Sequence, residues 1–141
     1  MTAAATPPPD RWAILYDPDC GFCRTALALI LRADTHRRLA PLALGTPAAD
    51  ALLDDLTPQQ RDGSWHLVSP VGERTSAGAA GPPLLRLLPG GGLPATVLAA
   101  APATTERAYR WIADHRSTLS RVIPTAAKQR ATQLIKQRTS R

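Results

Sequence analysis

The only two cysteines of the chain stand at Cys20-Gly21-Phe22-Cys23, between two apolar runs. The run before them, Trp12-Ala13-Ile14-Leu15-Tyr16, has the length and composition of a buried strand. The run after them, Thr25-Ala26-Leu27-Ala28-Leu29-Ile30-Leu31, carries helical periodicity: Cys23, Leu27, Ile30 and Leu31 fall at i, i+4, i+7 and i+8. Ala26 and Leu29 widen that stripe, so a well-buried helix is expected from Cys20 or Gly21 to about Ala33. Asp17-Pro18-Asp19 supplies the intervening turn and offers an N-cap. The chain therefore opens on a strand buried on both faces (12–17), a tight turn and a helix, with a CxxC pair at the junction.

This spacing suits redox chemistry. Helical residues three apart share a face, with Cα atoms about 5 Å apart, inside the disulfide window of about 4.4–6.8 Å. Cys20, at the helix start, is expected to be exposed and to attack first. Cys23, one turn in, is expected to be shielded and to resolve the mixed disulfide. Unsatisfied N–H groups of the first turn favour the attacking thiolate. Asp17 and Asp19 oppose it: at ~6 Å and an effective dielectric of ~20, one carboxylate acts against a thiolate by up to about 3 kcal/mol before solvent screening. Arg24 offsets part of that. These modulating charges predict no strongly acidic thiol and a reducing poise, with a potential above about −150 mV as the refuting result. Asp17 has two readings, a proton relay to Cys23 or simply the residue that begins the turn.

The remaining pattern continues in α/β fashion. A short strand fits 39–44, where Pro41 argues for an edge position or a strand start. A helix follows at 48–56. Residues 64–69 and 73–76 read as a hairpin around Pro70-Val71-Gly72. Residues 77–88 have helical character weakened by Gly78, Gly81, Pro82 and Pro83, and Pro89-Gly90-Gly91-Gly92 is a break. Residues 93–101 fit helix or strand. Residues 104–115 form an amphipathic helix, with Ala108, Trp111, Ile112 and His115 on one face. The order β-α-β-α-β-β-α, with additional C-terminal helices, is that of a thioredoxin-like domain. The expected division is a disordered Pro-rich leader (1–10), the thioredoxin-like domain (11–123) and a basic C-terminal tail (124–141).

At 141 residues and 44% apolar content, one domain with one core is expected. The net charge of +6 is uneven, since no acid follows Asp114 whereas Arg116, Arg121, Lys128, Arg130, Lys136, Arg138 and Arg141 do. A solvated, partly helical end is the plain reading of that run. An acidic partner or a membrane surface is the functional one, with Ala127, Ala131, Leu134 and Ile135 supporting a short helix. The first nine residues lack the basic and long apolar regions of a signal peptide. No stretch approaches the ~20 apolar residues of a membrane-spanning helix. A cytoplasmic location is therefore expected, where a lone CxxC serves catalysis or metal binding rather than stapling.

The motif resembles the DCC family of predicted thiol–disulfide oxidoreductases, named for a D-x-x-C-x-x-C signature after the first strand. Here that signature is Asp17-Pro18-Asp19-Cys20-Gly21-Phe22-Cys23, followed by Arg24. The similarity extends over about residues 12–120, through Glu73-Arg74-Thr75-Ser76 and the closing Tyr109-Arg110-Trp111-Ile112-Ala113-Asp114-His115-Arg116. The resemblance implies a thioredoxin-like fold and carries the redox role onto Cys20 and Cys23, with Asp17 as third signature residue. It implies a protein or small-molecule disulfide or dithiol as substrate and no metal or organic cofactor. Pro18 replaces the glycine usual after the first aspartate. Thioredoxins proper set a cis-proline before the third strand; here Pro58 is too early and Pro70 too late, and Ser76 is a candidate substitute.

Two alternatives stand beside this. A zinc site would need ligands beyond the CxxC, and only His36, His66 and His115 remain, at spacings that match no zinc pattern. A basic binding module would engage nucleic acid or an acidic partner, but the chain lacks a nucleic-acid motif and a cluster of exposed aromatics. Nucleic acid is not expected as the main partner.

Overall fold

A computed structural model describes residues 10–139. The expected leader falls outside it except for Asp10. The elements are β1 (Trp12–Tyr16), α1 (Gly21–Ala33), β2 (Leu39–Ala43), α2 (Pro47–Leu52), α3 (Pro58–Asp62), β3 (His66–Val68), β4 (Arg74–Ser76), a 3-10 turn (Ala77–Ala80), α4 (Gly81–Leu87), α5 (Gly92–Ala100), α6 (Pro102–Asp114), α7 (Arg116–Val122) and α8 (Thr125–Thr139).

The four strands form one mixed sheet in the order β2-β1-β3-β4. β1 pairs in parallel with β2, Ile14 opposite Pro41, and antiparallel with β3, Ile14 opposite Leu67. β3 and β4 close the expected hairpin, with Leu67 opposite Thr75. Its turn is held by Gly72 N–H donating to the Ser69 carbonyl (2.9 Å), and Gly72 takes the left-handed φ of +91° that favours glycine. Pro41 lies on the edge strand β2, where a missing N–H is tolerated.

The apolar run of β1 is covered on both faces. Ile14 packs with Leu27 and Leu31 of α1, Leu84 and Leu87 of α4, and Ile135 of α8. Ala13 and Leu15 point the other way, into a cluster with Leu42, Ala49, Leu53 and Val68. Full burial of one such aliphatic side chain contributes roughly 1.5–3 kcal/mol, and Ile14 and Leu15 are 2% and 0% exposed.

Three expectations change. Leu29 is 62% exposed, and Ala28 is buried in its place. The stripe of Leu27, Ile30 and Leu31 does face the core, and only its Leu29 flank is misplaced, because α1 is apolar on most of its circumference. The helix expected over 48–56 ends at Leu52, and a separate short helix, α3, starts behind a capping box made by Thr57 and Gln60. Residues 77–88 are a 3-10 turn followed by α4, and the prolines fall in the first turn of α4, where a missing N–H is harmless.

The sequence reading leaves residues 124–141 as a basic tail. In the structure their described part is α8, which lies along α1 and buries Ala131, Ile135 and Arg138. Arg138 donates to the buried Asp34 carboxylate at 2.6 Å and to the Leu31 carbonyl at 2.8 Å. No described helix is long and apolar enough to cross a membrane.

Candidate active site

The β1–α1 connection is built by its own polar atoms. Asp17 Oδ1 accepts from the Asp19 N–H at 2.9 Å, an Asx turn. The Arg24 guanidinium reaches back one helical turn to donate to the Pro18 carbonyl at 2.6 Å. Arg24 therefore braces the turn as well as adding charge. The N-cap is neither aspartate. Cys20 occupies that position with extended backbone (φ −97°, ψ 112°), and its Sγ accepts from the Cys23 N–H at 3.2 Å. One first-turn N–H, that of Cys23, thus points at the first sulfur, and the thiol does its own capping.

Both cysteines are free thiols of intermediate burial. The Cys23 thiol is pushed up to about 12, first by burial, then by its hydrogen bond to Cys20, the Cys20 charge and the Asp17 charge. Arg116 pulls in the opposite direction. Cys23 is thus protonated at neutral pH, which fits a thiol that waits.

A cavity of about 260 Å³ opens beside Cys23. β1 and α1 give it Tyr16, Phe22 and Ile30, the segment before β3 gives Ser64 and Trp65, α6 gives Tyr109 and Ile112, and α7 gives Arg116. Asp17 and Asp62 also reach its wall. The Tyr109 hydroxyl accepts the Trp65 N–H at 3.2 Å, tying α6 to the entry of β3. Burial raises the Tyr109 phenol, and the nearby Cys23 charge raises it further. Cys20 is not on this wall. It lies at the helix start, where Gly21 is overlain by α7 and α8: a Cβ there would meet Ser120 Oγ at 2.7 Å and Lys128 Cδ and Cε at 2.9 Å. The middle of the CxxC motif is therefore covered by the C-terminal helices.

The other singled-out residues lie apart from Cys23. Ser76, the candidate stand-in for the thioredoxin proline, is bonded to His66 (Oγ···Nδ1 2.6 Å) and faces a second cavity of about 450 Å³. His66 Nε2 lies 3.0 Å from the Arg61 carbonyl, which can only accept. Nε2 therefore carries the proton of the neutral ring, and Ser76 donates to Nδ1. His36 is exposed in the loop after α1, and His115 stacks on Trp111 with ring centroids 4.3 Å apart. Among the described residues no group of three or more His, Cys, Asp or Glu side chains converges. Trp111 and Ile112 are 58% and 39% exposed, so the apolar face of α6 is only partly covered.

The family model of DCC1-like thiol-disulfide oxidoreductases matches residues 14–122. The chain belongs to this family. The match spans the sheet, the CxxC turn and the helices through α7, and it stops before α8. It supports the thioredoxin-like fold and assigns the CxxC-spaced pair Cys20 and Cys23 to a thiol–disulfide oxidoreductase family, whose substrates are disulfides or dithiols. No curated protein and no solved structure matches the chain. The sequence motif gave the two cysteines and Asp17 but not Trp65, Tyr109 and Arg116, which complete the cavity. Tyr109 and Arg116 stand in the closing segment that resembles the family, but on two different helices, so no helical spacing links them.

Proposed function

We propose that the chain reduces or exchanges disulfides through a dithiol cycle in which Cys20 attacks and Cys23 resolves. Cys20 Sγ attacks one sulfur of a substrate disulfide R–S–S–R′. The substrate S–S bond breaks, a Cys20–S–S–R bond forms, and R′–S⁻ leaves and takes up a proton. Cys23 then loses its proton, attacks Cys20 Sγ and expels R–S⁻. Two electrons pass from the dithiol to the substrate disulfide, and Cys20 and Cys23 end joined. Asp17, which with Asp62 reaches the cavity wall beside Cys23, is the proposed acceptor of that proton, while its Oδ1 holds the turn.

One observation carries this assignment of roles. Cys20 Sγ sits at the helix N-cap, accepting the Cys23 N–H, while the half-buried Cys23 thiol is held protonated. The first position favours a thiolate and the second a reserve thiol. The substrate is a protein or small-molecule disulfide. The test is a trap: reduced Cys23→Ser protein is mixed with a disulfide-bonded peptide and read by intact mass without reductant. A single adduct, lost in Cys20→Ser, is expected. An adduct that forms equally in Cys20→Ser, or full turnover by either variant, refutes the reading.

A further inference from the structure

We infer that Arg116 is the residue that lets Cys23 resolve the mixed disulfide, its guanidinium favouring the Cys23 thiolate from across the shared cavity. This rests on the roles of Cys20 and Cys23 given above.

The geometry supplies three reasons. Arg116 and Cys23 lie on the wall of the same largely apolar cavity, and Arg116 is the only cation on that wall among the described residues. Its guanidinium makes no hydrogen bond or ion pair among the described residues, unlike Arg61, Arg74, Arg110 and Arg138. It also stands at the first position of α7, where a cation opposes the helix dipole, so its charge gains nothing from its own helix.

The chemistry supplies the need. In the dithiol state Cys23 is held protonated by burial, by Cys20 and by Asp17. Once Cys20 is in a mixed disulfide its sulfur is neutral, and the Cys20 contribution disappears. Burial and Asp17 still oppose ionisation of Cys23, and Arg116 is the charge that favours it. The other titratable groups facing Cys23 are Tyr16 of β1, Asp62 at the end of α3 and Tyr109 of α6. Both phenols are pushed up by burial and stay neutral through the range in which thiols resolve. The resolving step balances as before: Cys23 gives its proton to Asp17 or water, the Cys20–Cys23 bond forms, and R–S⁻ leaves with the electron pair of the Cys20–S–R bond.

Reduced full-length protein is mixed in stopped flow with one equivalent of 2,2′-dithiodipyridine, an uncharged disulfide, between pH 6 and 9. Attack by Cys20 releases the first pyridinethione, and resolution by Cys23 releases the second. An opposite charge within ~4–6 Å favours ionisation by about 1–3 pH units, and across the cavity the low end of that range is expected. Arg116→Gln should therefore slow the second release about tenfold at pH 7 and displace its pH profile upward, with the first release within about twofold of wild type. Arg116→Lys should restore most of the second rate, and Arg116→Met should repeat the glutamine result with a different fold burden. An unmoved second phase, equal slowing of both phases, or a lysine variant as slow as glutamine overturns the inference. A wild-type protein that never releases the second thione sinks the dithiol reading itself. Two releases in wild type with an unmoved Arg116→Gln sink only the role of Arg116.

Discussion

Replacing Asp34 by alanine should be among the most damaging single changes outside the cysteines. Asp34 closes α1 with its side chain fully buried, and the carboxylate serves three donors: the Arg38 N–H at 3.0 Å, the Leu39 N–H at 3.0 Å and Arg138 Nη2 at 2.6 Å. Asp34→Ala leaves two backbone N–H groups at the entry of β2 without their acceptor, each worth about 1–3 kcal/mol when buried. It also leaves the Arg138 guanidinium, 8% exposed, with the Leu31 carbonyl as its remaining hydrogen-bond acceptor among the described residues. Breaking a buried pair by removing one partner costs about 3–5 kcal/mol. These losses share atoms and do not add in full, so about 4 kcal/mol is expected for the whole change. Against a typical domain stability of about 5–15 kcal/mol and a urea m-value of about 2 kcal/mol/M, the urea midpoint should fall by about 2 M. Arg138→Met should be milder by at least about 1 kcal/mol, because the carboxylate keeps both backbone donors. The double variant should be more stable than Asp34→Ala alone, since no unpaired guanidinium remains. A fall of less than ~0.5 M in Asp34→Ala, with m unchanged, or strict additivity of the two changes, refutes the argument.

Gly91 and His66 give two further expectations. A Cβ on Gly91 would lie 1.8 Å from the Leu85 carbonyl oxygen, although its φ of −84° suits any residue; Gly91→Ala should lower stability by about 3 kcal/mol. Gly45→Ala, at φ +88° with open space around it, should lose only about 1–2 kcal/mol, and a larger loss at position 45 than at 91 in urea melts would contradict this. Burial holds the His66 ring below its ordinary value of 6.5. Below pH 6.5 the unfolded chain binds a proton that the folded chain refuses, so stability should fall as pH drops through and below that value and be fully present above it. Thermal melts from pH 7.5 to 5 should show the decline, and His66→Val/Ser76→Ala should flatten it; an unchanged slope in that double variant would count against His66 as its source.

The parts of the fold that could be read from the sequence are those fixed by near neighbours. The apolar run 12–16 bounded by an Asx turn, the hairpin around Pro70-Val71-Gly72, and Pro41 on an edge strand each follow from residues within a few positions of one another. Where near neighbours conflict, reading failed. Residues 93–101 are apolar on all sides, so no period separates helix from strand; α5 forms there with only Ala95 buried, and Leu93 and Val97 are 77% and 61% exposed. Gly78 looked like a helix breaker. Its place is set from 28 residues away, because α6 passes so close that a Cβ would meet Glu106 Cα at 2.9 Å while Gly78 N–H donates to the Glu106 carboxylate at 3.0 Å.

The site divides along the same line, and the division has a physical reason. The sulfurs of the proposed dithiol need a fixed mutual geometry, which one helical turn supplies locally, so they appear as a short motif. The surroundings that decide which sulfur ionises must come from elsewhere, because α1 cannot fold back over its own first turn. Trp65, Tyr109 and Arg116 reach Cys23 from the β3 entry, α6 and α7, and Ser120 and Lys128 reach Gly21 from α7 and α8. None of these carries a local signature: each reads as an ordinary residue of an amphipathic helix or loop. α8 lies beyond the family match and still covers the motif, and it is held down by Arg138 through a pair 104 residues apart in the chain. The basic run after Asp114 is therefore not one solvated face. Arg138 is an anchor inside the fold and Lys128 lays its stem over the CxxC turn, which leaves Arg121, Arg130 and Lys136 as the exposed cations of this region among the described residues.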